Sequence, residues 1–157
     1  MKWIAFLLVL VALTIVVPAA DAQRQIINTP GVHPQGLPFS DAVRVGDTLY
    51  LSGNIGLDPK TAKIPDDFSE EARQALKNLG AVLKTAGYDY KDVVKVNVYL
   101  ADIARFNDWN KVYQDFFKGD YPARSTVGAN GLSLGAKLEV EMIAVKKREQ
   151  RQRKPAP

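Results

Sequence analysis

Lys137-Leu138-Glu139-Val140-Glu141-Met142-Ile143-Ala144-Val145 is the stretch that decides the fold. Successive strand side chains point to opposite faces, so Leu138, Val140, Met142 and Ala144 form one wholly apolar face. Lys137, Glu139, Glu141, Ile143 and Val145 form the other, which is mixed. A strand of this kind belongs to a sheet that is covered on one side, and its apolar face sits under helices. Asp92 to Leu100 reads as a second such strand: Val94, Val96, Val98 and Leu100 alternate with Lys95, Asn97 and Tyr99. Ala42-Val43-Arg44-Val45 and Thr48-Leu49-Tyr50-Leu51 flank Gly46-Asp47, a hairpin signal, and Ser52-Gly53-Asn54 ends the second arm. Ala123 to about Gly128 is a further strand, on which Arg124 and Thr126 share a face.

Two helices supply the cover. From Phe68 to Ala86, apolar residues recur at intervals of three and four, from Ala72 through Leu76, Leu79 and Leu83. Asp67, with Glu70 three residues later, is a start signal, and Gly87 fits the position just past the end. Asp102 caps a second helix reaching about Phe117, whose stripe of Ile103, Phe106, Trp109, Tyr113 and Phe116 is read as core. The expected fold is α+β, in the order β-β-α-β-α-β-β, with two helices on one face of a mixed sheet. The uncovered face combines charge with Val, Ile and Tyr, which suits an oligomer interface with polar pockets.

The chain has 157 residues, enough for one domain with a real core. Residues 23–146 are read as that domain. Residues 1–22 read as a cleavable signal peptide: Lys2, then an apolar run from Ile4 to Val17, then Pro18 and the small-x-small site Ala20-Asp21-Ala22. The run is shorter than the ~20 residues that span a bilayer comfortably. The alternative is an uncleaved anchor. The expected protein is exported, periplasmic if its source is a Gram-negative bacterium and otherwise secreted, with no stable membrane insertion once the signal is cleaved. The net charge is +4. Lys146 to Lys154 holds six basic residues and one acidic one, so the rest of the chain carries a net −1. The basic character belongs to a tail, residues 147–157, read as solvated and disordered. The tail interleaves no aromatic residues with its basic ones, and no nucleic-acid partner is expected.

With no cysteine, disulfides, thiolate catalysis and cysteine metal sites are excluded. With one histidine, so is a zinc site built on several histidines. That residue, His33, lies in a Pro/Gly-rich stretch from Asn28 to Pro38 and is read as an exposed arm residue rather than a base. Asp66-Asp67 and Glu70-Glu71 sit at a helix start, where acids favour the dipole, and carry no assigned chemistry. What remains is Arg124 and Glu139, on consecutive strands joined by a turn, which brings them within reach of each other. Arginine's planar fork binds a carboxylate bidentately, and a glutamate beside it can hold or deprotonate a water. A cross-strand salt bridge between the two is the competing reading.

Three segments together resemble the reactive intermediate deaminase A (RidA, YjgF-type) family: Gly46 to Pro59, Pro122-Ala123-Arg124-Ser125, and Glu139 to Val145. The resemblance covers about Ile26 to Lys146. It implies a chorismate mutase-like fold and a homotrimer whose sheets pack into a central barrel, with active sites in the clefts between subunits. It implies hydrolysis of 2-imino acids, the tautomers of enamines, to 2-keto acids and ammonia, with no metal or cofactor. Arg124 matches the arginine that binds the substrate carboxylate, and Glu139 the glutamate that orients water. Gly53 and Thr126 match positions whose backbone lines the pocket. The family's Gly-Pro-Tyr segment reads Leu37-Pro38-Phe39, so Phe39 lines the pocket without the hydroxyl. The same resemblance also allows a non-catalytic trimer that binds small carboxylates, or a holdase.

Overall fold

The computed structural model describes residues 23–34 and 36–146; the expected signal peptide and basic tail lie outside them. The strands are β1 (Arg24–Ile27), β2 (Ala42–Val45), β3 (Thr48–Ile55), β4 (Val93–Leu100), β5 (Ala123–Gly128) and β6 (Leu138–Val145). The helices are α1 (Phe68–Thr85), between β3 and β4, and α2 (Phe106–Phe116), between β4 and β5. The order is therefore β-β-β-α-β-α-β-β. The extra strand, β1, pairs with β2 at the sheet edge. Four residues of which only Ile27 is buried give too short an alternation to be legible in sequence.

The six strands form one sheet in the order β1-β2-β3-β6-β4-β5. Its last pair, β4 and β5, is parallel and its other pairs are antiparallel. A parallel pair needs a crossover, and α2 is that crossover. Leu138, Val140, Met142 and Ala144 are all buried, as are Val96, Val98 and Leu100 of β4 and Leu49 and Leu51 of β3. Against them lie Ala72, Leu76, Leu79, Val82 and Leu83 of α1 and Trp109, Val112 and Tyr113 of α2. Fully burying each large aliphatic side chain contributes about 1.5–3 kcal/mol.

Asp67 caps α1 by accepting from the Glu70 amide at 2.9 Å, and Gly87 follows the helix with φ +80°. Asp102 instead caps a short 3-10 turn at Ile103–Arg105 that leads into α2. The apolar stripe there divides: Trp109 and Tyr113 are core, whereas Ile103 and Phe106 are exposed.

β3 does not end at Ser52-Gly53-Asn54. Its register against β6 shifts between Leu51 and Asn54, so that Ser52 and Gly53 stand opposite the single residue Glu141. This β-bulge carries the strand on to Ile55 and re-aims the chain.

Glu71 is more than a helix-start acid. It is fully buried; its Oε1 accepts from the Lys137 amide at 2.7 Å and its Oε2 from Lys137 Nζ at 3.0 Å. It ties α1 to the start of β6. Glu71→Ala strands a buried backbone donor and the lysine, and is expected to cost about 3 kcal/mol. Thermal denaturation should then show a Tm lower by roughly 10 °C.

Candidate functional site

β5 carries Arg124, and its register places Arg124 beside Val96 and Thr126 beside Val98. Both valines face the helices, so Arg124 emerges on the helix side and lies against α2. Arg124 Nη2 donates to Asn110 Oδ1 at 2.6 Å. The guanidinium carbon stands 4.7 Å from the centroid of the Tyr113 ring and 5.5 Å from that of Phe106. These rings hold the cation over their faces. Burial pushes the Tyr113 hydroxyl up to about 12, against the lowering effect of Arg124, so Tyr113 stays a neutral platform. Arg124 opens on a cavity of about 420 Å³ with Asn110, Tyr113, Gln114, Tyr121 and Pro122. Among the described residues, no ion pair includes it. Its free donors in an open cavity are what an anionic ligand needs.

Glu139 lies elsewhere. On β6 it pairs with Tyr99 of β4 and Ile55 of β3, on the face without helices. Its carboxylate rests against the bulge: a Cβ on Gly53 would overlap Glu139 Oε1 and lie 2.8 Å from its Cδ. Glycine is therefore required at position 53 for this carboxylate placement. Glu139 and Gly53 share a cavity of about 500 Å³ with Phe39, His33, Asn78 and Leu134. Beside them on the same face, Glu141 accepts from Asn97 Nδ2 at 2.7 Å and from the Tyr99 hydroxyl at 3.2 Å. Those bonds occupy Glu141 in the sheet and leave Glu139 as the carboxylate facing the cavity.

The expected approach of Arg124 to Glu139 within one chain does not occur. β4 lies between β5 and β6, and the two side chains project from opposite faces of the sheet. Strands adjacent in sequence are here not adjacent in space, because the parallel crossover sends β5 to the outer edge. A salt bridge between the pair within the chain is excluded by the same geometry. The five expected site residues split into two groups. Glu139, Gly53 and Phe39 line one cavity, and Arg124 lines the other. Thr126 shares the helix side with Arg124, and its Oγ1 is buried with no partner among the described residues.

Sequence reasoning missed three residues. Phe106 and Tyr113 are neighbours of Arg124 as well as members of an apolar stripe; nothing in helical periodicity separates those roles. His33 is not an exposed arm residue. Its Nδ1 lies 2.6 Å from Asp41 Oδ1, and its side chain is 16% exposed. Asp41 stands eight positions on, with no motif to link them.

Residues 33–146 match the family described as Endoribonuclease L-PSP. The chain is 44% identical over 123 residues to the 2-iminobutanoate/2-iminopropanoate deaminase of Mus musculus, covering 78% of this chain and 91% of that one. To the human protein of that name it is 42% identical over 123 residues, covering 78% and 90%. Among solved structures, E. coli TdcF with bound serine superposes with a TM-score of 0.75 at 35% identity, covering 78% of this chain and 99% of that one. Yeast Mmf1 gives 0.75 at 34%, covering 80% and 100%. Sheet order, bulge and the Arg124 and Glu139 strands thus stand in a chain that belongs to the RidA/YjgF (Endoribonuclease L-PSP) family.

Proposed function

We propose that this protein hydrolyses reactive 2-imino acids, tautomers of enamines, to 2-keto acids and ammonia. The observation that carries this is Arg124: a guanidinium on an aromatic platform, open to a cavity and without a carboxylate partner among the described residues. The identity to 2-iminobutanoate/2-iminopropanoate deaminases points the same way.

In this reading the working unit is a homotrimer. The helix-free face leaves Tyr50, Val127 and Val145 exposed beside its polar groups, a composition suited to burial against other copies. Subunit clefts then bring Arg124 of one chain to Glu139 of the next, which one chain alone does not do. Arg124 fixes the substrate carboxylate, a charge-assisted contact of about 1.5–3 kcal/mol. Glu139 holds the water that attacks the C=N carbon. Gly53 lets the carboxylate approach the bulged backbone, and Phe39 closes the cavity with an apolar wall. The leader at residues 1–22 would export the protein, where an amino-acid oxidase rather than a cytosolic enzyme supplies the imine.

The test is a coupled assay in which an amino-acid oxidase generates 2-iminopropanoate from alanine. The protein is expected to speed pyruvate release above the spontaneous rate. Equal rates with wild type and Arg124→Ala would reject the proposal in favour of a binding module or holdase.

A further inference from the structure

The cavity that holds Glu139 has a second proton-transfer group on its wall. Asp41 is 6% exposed, and both its oxygens are engaged. Oδ2 accepts from the Thr29 amide, and Oδ1 faces His33 Nδ1. A carboxylate only accepts, so the proton between them sits on Nδ1. In the neutral imidazole this selects the Nδ1–H tautomer, whose Nε2 lone pair is then the available base. The ring is held from a second side by Phe39, edge to face with centroids 5.2 Å apart. A turn closed by the Val32 amide donating to the Thr29 carbonyl at 3.2 Å, with Val32 itself buried, anchors the arm. The arm is therefore pinned, and it presents His33, backed by the buried Asp41, to the same 500 Å³ cavity as Glu139. Phe39 carries no polar atom on its side chain, so His33 is the titratable group that this arm brings to the cavity.

We infer that His33 is a further catalytic residue, acting as the second base of the hydrolysis; this rests on the deaminase reading above. Imine hydrolysis needs two deprotonations of the same oxygen. In the first step the water oxygen bonds to carbon, a water proton passes to Glu139, and the C=N electron pair moves onto nitrogen. The resulting carbinolamine collapses in the second. Glu139 returns its proton to nitrogen, the C–N bond breaks with its electron pair leaving as ammonia, and the hydroxyl oxygen closes to C=O. The hydroxyl proton goes to His33 Nε2 and leaves with ammonia as ammonium. An iminium and one water thus give a keto acid and ammonium, with no other reactant. Glu139 is occupied delivering its proton to nitrogen at the moment the hydroxyl must lose one, which is why a second base is useful.

His33→Asn separates this role from a structural one. The Asn amide can still donate to Asp41 from the Nδ1 position but has nothing at Nε2. It is expected to lower kcat for 2-iminopropanoate about a hundredfold, the low end of what a positioned proton-transfer group supplies, with KM little changed. As His33 is the only histidine of the chain, its imidazole gives a single set of NMR resonances. These should move on titration with 2-oxobutanoate in wild type. An active wild type with a His33→Asn kcat within twofold of it, or 2-oxobutanoate binding that leaves the imidazole resonances still, overturns the role of His33 alone. An inactive wild type overturns the deaminase reading and this role with it.

Discussion

Arg124→Ala and Glu139→Ala proteins, each crippled alone, are expected to regain about a quarter of wild-type turnover when their subunits are mixed and allowed to exchange. The figure follows from the sheet together with the symmetric trimer proposed above. Arg124 and Glu139 leave opposite faces of one chain's sheet, and in the proposed homotrimer a working cleft takes one from each of two neighbours. In a random one-to-one mixture, a given cleft draws its arginine from a Glu139→Ala subunit with a chance of about one half. It draws its glutamate from an Arg124→Ala subunit with the same chance, and the product is about one quarter. The parents provide a low background. Losing a bidentate charge-assisted contact of about 3 kcal/mol lowers kcat/KM roughly 10²-fold, and losing the group that positions and deprotonates water lowers kcat by about 10²–10⁴-fold. Refolding the variants together and assaying imine hydrolysis reads the result. A mixture no more active than the average of its parents means that each site is complete in one subunit.

Gly53→Ala is expected to lower kcat about 10²-fold while leaving the fold nearly as stable as before. The new methyl group would fall on Glu139 Oε1 and 2.8 Å from Cδ. What it meets is the far end of a flexible side chain, so the chain yields by moving the carboxylate, and the backbone stays. A displacement of about 1 Å in a reacting group is enough for a loss of that size. The contrast is Gly56, where a Cβ would lie 2.8 Å from the Glu71 carbonyl carbon, in the backbone of α1, which has no such freedom. Kinetics and a thermal melt on Gly53→Ala check both halves. Unchanged kcat, or a Tm collapse in its place, would show that Gly53 serves the sheet and not Glu139.

Both results depend on details of differing legibility. The alternation Leu138, Val140, Met142, Ala144 was readable because burial on one sheet face imposes period two, and all four are buried. The period of α1 was readable for the same kind of reason. β1 was not, because an edge strand with one buried residue leaves almost no pattern. The bulge at Ser52-Gly53 reads in sequence as a strand end, since a break in alternation looks the same whether pairing stops or shifts by one residue. His33 looked idle because its partner Asp41 reaches it through the fold of the arm.

By itself the sequence determined an α+β domain with two covering helices, and it singled out Arg124 and Glu139 as the residues to watch. Those conclusions rest on periodicity and on short segments, both of which are local properties of the chain. Only the tertiary structure decided that the two residues face opposite ways, that Gly53 makes room for the Glu139 carboxylate, and that Asp41 pins His33 into the same cavity. Each of these depends on which strand lies beside which, and the crossover through α2 placed β5 at the sheet edge while β6 passed to its middle. Strand order is set by packing across the whole core, and no local pattern encodes it.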